Sequence, residues 1–293
     1  MVSRRVAIAG SALSLVLLCL TGCSSGTPNN IQLPPKNAEI WSMPLDEYTE
    51  NVSFLRDYAE ALLIEPCMVE KGFVYQVPWQ PIDRGSTDGY APGGQRLFNT
   101  DIASKYGYHR PERVWENKEA WRQFGSDLDA AAAATAGYDD ALVACREAAR
   151  KEAPLVSDDA MYYAADAISQ SYSAAISSPE SAATLGDWRE CMNDSGMFEL
   201  TDNPEEMPTP DRAEQWQIST PGTVASTEEI ALATADASCA ASSGWTSALY
   251  NAQWAWQERF LNDNQAKLQR IGEELDANRS MLERIVVDNA PSR

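Results

Sequence analysis

Six cysteines and one histidine are the side chains of this 293-residue chain that could act as thiolate nucleophile, soft metal ligand or imidazole base. Cys19 and Cys23 stand four apart in "CLTGCSSG", at the end of the longest apolar run. A structural zinc needs four ligands, and no second Cys or His cluster follows, so that pair is not read as a metal site. Cys67, Cys145, Cys191 and Cys239 are spread through the rest of the chain. A Ser-His-Asp or Cys-His site would have to use His109, in "KYGYHRP". Its neighbours Tyr106, Tyr108 and Pro111 read as a packed turn rather than the surroundings of an activated base. "RGSTDGY" has the Asp-Gly centre of a calcium loop, but Ser86 and Arg84 stand where acids belong and Gln95 where the closing acid would be. "APGGQ", 91–95, lacks the following Lys-Ser/Thr and the preceding strand of a phosphate cradle. With 43 acids in the chain, no single carboxylate pair marks a glycosidase. The sequence therefore assigns no catalytic residue, metal or cofactor.

The first segment answers what Cys23 is for. Met1 to Arg5 carries two arginines and no acid, and Val6 to Leu20 is nearly all apolar. That run is shorter than the roughly twenty residues a bilayer span needs. A basic start, a short apolar core and small residues before a cut read as a secretory signal over 1–22. Leu20-Thr21-Gly22-Cys23 resembles the bacterial lipobox. The resemblance implies that the Cys23 thiol receives a diacylglycerol and becomes the mature N-terminus, while Cys19 leaves with the signal. One acyl chain holds a protein to a membrane only marginally, and two hold it stably. The expected address is the extracytoplasmic face of the cell membrane, with a fatty-acylated, palmitate-type anchor. The competing reading is an uncleaved N-terminal helix with two ordinary cysteines.

Net charge is −20, and removal of 1–22 makes it two units more negative. Nucleic acid selects basic surfaces, so that partner class is excluded. The same charge stands off anionic lipid and reads as a solvated acidic surface, open to cationic partners. Nine tryptophans and eleven tyrosines are too many for a disordered chain. Four cysteines in an exported protein imply two disulfides, with three pairings open.

Residues 23–43 are rich in Ser, Gly, Asn and Pro and read as a flexible lipidated tether. From 44 to 71 apolar residues recur at helical steps (Leu45, Tyr48, Val52, Leu55, Ala59, Leu62), ending in "CMVEKGF". Gly72 and Phe73 stand where a Schellman cap needs a left-handed residue and an apolar contact. "CMNDSGMF", 191–198, repeats the element at the end of a helix predicted over 179–195. Each copy precedes an irregular stretch and then a helix with one more cysteine, Cys145 or Cys239. We read a duplicated unit, which selects Cys67–Cys145 and Cys191–Cys239, with a crossed pairing as the alternative. Further helices are predicted over 115–151, over 157–177 and from Thr227, and a short edge strand over 73–79. From Trp254 a seven-residue rhythm follows, Trp254, Leu261, Leu268, Leu275 and Leu282, with Gln257, Asn264, Ile271, Asn278 and Ile285 three positions on. One line is apolar and the other alternates, half of a coiled-coil seam on a helix predicted over 244–288. Such a stripe packs on the helices at 44–71 and 112–150, or docks another protein.

The expected fold is mainly α: a disulfide-stapled helical bundle with long irregular loops and a long C-terminal coiled-coil-like helix. Its units would be 44–153, with a long aromatic loop, and 154–293. The first unit's loop holds Trp79, Tyr90, Phe98, Tyr106, Tyr108, His109 and Trp115. These residues form either a platform for a sugar or peptide ligand or a satellite core under the loop. The paired Cys-Met-x3-Gly elements, "KYGYHRP" and the cysteine-bearing helix before a long tail are similar to a group of secreted lipoproteins of high-GC Gram-positive (actinobacterial) bacteria. The resemblance implies an envelope lipoprotein without an assigned activity. It carries the Cys-Met pair to 67–68 and 191–192, the second copy departing with Met197 where the first has Phe73. The functional expectation is a membrane-anchored lipoprotein that binds or scaffolds a protein or cell-wall partner. The alternative is an envelope hydrolase acting on cell-wall material.

Overall fold

The computed structural model describes residues 33–49, 52–83, 89–91, 94, 97–111, 114–196 and 199–292. The predicted signal segment and Cys23 lie outside them. The chain is helical: α1 (Ser53–Glu70), α2 (Thr100–Tyr106), α3 (Lys118–Ala134), α4 (Tyr138–Glu152), α5 (Asp158–Ile176), α6 (Pro179–Ala182), α7 (Leu185–Asp194), α8 (Pro210–Gln215), α9 (Thr227–Ser242), α10 (Trp245–Asp263) and α11 (Gln265–Asn289). Several begin on a side chain that satisfies an orphan amide of the first turn. The Ser157 hydroxyl accepts from the Ala160 N–H at the start of α5, and Ser226 accepts from Glu229 at the start of α9. Asn99 does the same for Ile102 in α2.

The duplicated element is present as a structure. At the end of α1, Gly72 has φ +85°, its N–H donates to the Val69 carbonyl, and the Phe73 N–H donates to the Met68 carbonyl. That is the two-bond Schellman pattern. At the end of α7, Gly196 has φ +81° and its N–H donates to the Asn193 carbonyl. Met68 and Met192 are both fully buried. The preceding cysteines reach back to the second helix of each unit. Cys67 is paired with Cys145 of α4 and Cys191 with Cys239 of α9, at Cα separations of 5.7 and 5.6 Å. Both separations are ordinary for a disulfide.

Two hydrophobic cores result. One is built by α1, α3, α4 and the last turns of α11, with Leu55, Tyr58, Met68, Tyr138 and Leu282 inside. The other is built by α2, α5, α7, α9 and α10, around Trp188, Met192, Trp245, Leu249 and Trp254. The boundary expected at 153/154 does not separate them. α2, from the first unit's loop, packs on α9, and α11 runs from α5 to α1. Residues 33–292 are thus one compact unit with interleaved halves.

Other expectations are corrected by the structure. The tether ends before 43: Trp41, Ser42 and Met43 are buried against α10. The helix expected over 44–71 is a short 3-10 turn at Asp46–Tyr48, then α1. The stretch 115–151 is two helices, turned at Gly137 with φ +79°. Phe73–Trp79 is extended but unpaired, and no strand is present among the described residues. Its alternation is nonetheless real, since Tyr75 and Val77 are buried while Val74 is exposed. The seam helix is broken once, at Asn264, whose side-chain amide turns back to the Phe260 carbonyl.

The seam faces inward along its length. Trp254, Leu261, Leu268, Leu275 and Leu282 are all buried. Its principal partner over α10 is α5, not the segment at 112–150, and over α11 it is α1 and α5. The polar positions of the second line each meet a chosen partner. Gln257 accepts from the Leu45 N–H and donates to Ser171, Asn264 accepts from the Tyr163 hydroxyl, and Asn278 donates to the Pro154 carbonyl. This stripe is internal and is not a docking face.

Candidate functional site

A cleft of about 520 Å³ opens where α5, the α9–α10 corner, the loop before α8 and the aromatic loop meet. Ala165, Ile168, Ser169 and Tyr172 of α5 line it, with Ala240, Thr246 and Leu249 from the α9–α10 corner. Pro204, Glu205 and Met207 join them, as do Leu97, Phe98, Tyr108 and Arg110. Gly94 and Trp41 complete the lining. The Trp41 backbone has φ +51°, a costly conformation for a bulky side chain that must be imposed by its surroundings. The Trp41 indole N–H donates to Gln253 at 2.8 Å, and its ring meets Tyr250 edge-on at 5.3 Å. The Tyr250 hydroxyl donates to the Ser42 carbonyl and accepts from the Asn37 N–H.

Behind the aromatic wall lies a buried acid, Asp236. Tyr108 stacks between Phe98 and Trp216, at 5.4 and 6.2 Å. Its hydroxyl donates to Asp236, whose other oxygen accepts from the Trp188 indole N–H, both at 3.0 Å. Burial pushes the Asp236 carboxyl up to about 7, against the pull of those two donors and with a further push from Glu205. Glu205 itself is answered on both oxygens, by the Trp245 indole N–H at 3.0 Å and by the Tyr172 hydroxyl.

His109 is a clamp. Glu229, fully buried at the start of α9, takes the His109 Nδ1 at 2.8 Å and the Tyr108 N–H at 2.8 Å on one oxygen. His109 Nε2 lies 2.9 Å from the Thr223 hydroxyl, whose own proton goes to the Thr220 carbonyl at 2.7 Å. Both ring nitrogens are thus engaged, one by the Glu229 carboxylate and one by the Thr223 hydroxyl. Gly107 beside it is fixed by closeness, because a Cβ there would stand 2.5 Å from the Glu229 carboxylate. The clamp pins the aromatic loop to α9 and leaves no ring nitrogen for a substrate.

The aromatic residues singled out in the sequence are not one platform. Phe98 and Tyr108 line the cleft. Tyr106 ends α2 half-buried, and His109 is buried in the clamp. Trp79 is half-buried far along the chain, its carbonyl accepting from Asn117. Trp115 lies against the Lys118 ammonium at 5.7 Å, and Tyr90 is half-buried in the turn after Gly89. Neither Trp79, Tyr90 nor Trp115 lines the cleft. Sequence reasoning missed Trp41, Tyr172, Glu205, Arg110 and Asp236. A tryptophan in an otherwise polar tether was the available signal for the first. Among the described residues no three of His, Cys, Asp and Glu gather to hold a metal ion, and no helix is long and apolar enough to cross a membrane.

The fold and the cleft define an all-helical, disulfide-stapled protein with a recess sized for a small molecule. No protein-family model matches the chain, and neither a curated protein nor a solved structure matches it.

Proposed function

We propose that this protein is a cell-envelope lipoprotein, held at the outer face of the membrane by lipid on Cys23, that binds a small organic ligand without transforming it. The observation that carries the binding reading is the cleft. It is bounded by five separate chain segments, lined mostly by aromatic and aliphatic side chains, and supported from behind by satisfied polar groups. Such convergence needs specific side chains from distant parts of the sequence. Trp41 even accepts a costly backbone conformation to stand there. The anchoring reading is supported by the basic flank, the short apolar run and Leu20-Thr21-Gly22-Cys23. It agrees with two oxidised cysteine pairs, which belong to compartments outside the cytoplasm.

Equilibrium dialysis of the full chain against a small-molecule extract of envelope, followed by mass spectrometry, tests the binding reading. Ala165 is exposed on the cleft wall, so Ala165→Trp fills the recess without touching either core. A defined compound retained by wild type and lost from Ala165→Trp is the expected result. No retained compound, or equal retention by both proteins, contradicts it. Membrane fractionation of Cys23→Ala tests the address, with release from the membrane as the expected outcome.

A further inference from the structure

Resting on the reading of the cleft as a ligand site, we infer that its occupant is a small organic anion with an aromatic or branched aliphatic body, and that Arg110 is the residue that selects it. Two charged side chains line the cleft, Arg110 and Glu205. Both Glu205 oxygens accept from buried or half-buried protein donors, the Trp245 indole and the Tyr172 hydroxyl. Those two neutral donors fix the position of the carboxylate. Arg110 is different: it is exposed at the cleft and makes no hydrogen bond or ion pair with any described residue. A guanidinium offers a planar pair of donors that matches a carboxylate, sulfonate or phosphate.

The rest of the lining fits the body of such a molecule. Trp41, Phe98, Tyr172 and Leu249 supply aromatic and aliphatic walls. Ser169 and Thr246 also line the cleft, and neither side-chain hydroxyl is engaged by a described residue. The strong net negative charge does not oppose this reading. Salt screens distant acids over about 8 Å, whereas an anion in the cleft meets Arg110 directly. The acidic surface instead disfavours polyanions, which reach beyond the cleft, and so restricts the class to molecules with one anionic group.

A matched pair of probes separates the charge from the body. Naphthalene sulfonate and naphthalene sulfonamide share size and shape, and only the first is anionic. Calorimetric titration of the full chain should show the sulfonate binding at least about tenfold more tightly, the order of one charge-assisted hydrogen bond. Arg110→Gln should abolish that preference and leave the sulfonamide unchanged, and Ala165→Trp should weaken both. Equal binding of the two probes, with Arg110→Gln silent and Ala165→Trp still effective, would overturn the anion assignment and leave the cleft standing. Binding of neither probe, or indifference to Ala165→Trp, would overturn the cleft reading itself.

Discussion

Asp236 is the residue at which burial and hydrogen bonding most directly oppose each other. Two donors hold its oxygens, yet burial lifts its carboxyl to about 7. The native state therefore holds the proton more tightly than the unfolded chain, whose carboxyl titrates near 4. Below that value both states are protonated and the contribution is complete. As pH rises toward 7 the unfolded chain gives up its proton first, so stability falls across this window and then levels off. The loss is on the order of 4 kcal/mol for this group alone. Asp46, lifted to about 6 by burial against the pull of the Met43 N–H, adds to it with the same sign. Urea unfolding at a series of pH values should show the decline. Asp236→Asn, which keeps an acceptor for Trp188 and a donor for Tyr108, should remove most of it. A pH dependence unchanged by Asp236→Asn would contradict this account of the acid behind the cleft. His109 read correctly as a packed residue from its own neighbours. Its partner, Glu229, lies 120 residues away, beyond any local signal.

At the scale of elements, the seam on α10 and α11 shows what a periodic pattern reveals and what it hides. Five apolar positions announced a buried stripe, and all five are buried. The same pattern did not say which helix covers it, because periodicity reports a face and not a partner. Nor did it show why Gln257 interrupts the second line. In the structure its carbonyl takes the Leu45 N–H at 3.2 Å, its amide reaches Ser171 at 2.9 Å, and Gln253 joins the same hydroxyl at 3.3 Å. These bonds tie the entry segment that carries Trp41 to α5 and α10. Gln257→Leu would complete an apolar seam on paper. It should nevertheless destabilise the protein by roughly 1–3 kcal/mol, because the Leu45 amide stays buried with no acceptor. Chemical denaturation measures this, and a gain in stability would contradict the assignment. The helix ends were more legible. Ser157 and the Cys-Met-x3-Gly elements are local devices, and they act where their chemistry places them. The breaks at Thr135–Gly137 and Asn264 carried no proline to announce them, and the seven-residue rhythm passes through Asn264 without a fault.

For the whole molecule, the repeated Cys-Met element was enough to select the disulfide pairing, because it identified equivalent helices before any contact was known. It did not reveal that the two halves exchange elements, α2 onto α9 and the end of α11 onto α1. That exchange is long-range packing, and it explains why a boundary at 153 fails. The bridges close separations of 78 and 48 residues. In the chain-entropy model each contributes about 4 kcal/mol. Replacing Cys67 and Cys145 together by Ser should lower unfolding stability by that order while the far-ultraviolet helical signal persists. An unchanged denaturation midpoint would show that the bridge constrains nothing. The cleft was illegible for the same long-range reason, since its lining is drawn from five segments and only Phe98 and Tyr108 among the sequence candidates reach it.

Native mass spectrometry of the protein purified from envelope, without reductant, reads all of these claims in one spectrum. The account predicts a chain beginning at residue 23 with a lipid mass on that sulfur, four hydrogens lighter than the fully reduced chain at its remaining cysteines, and carrying a small anionic organic molecule released on mild activation. A chain that retains Met1, bears unmodified Cys23, has free thiols at Cys67, Cys145, Cys191 and Cys239, and binds nothing would contradict it.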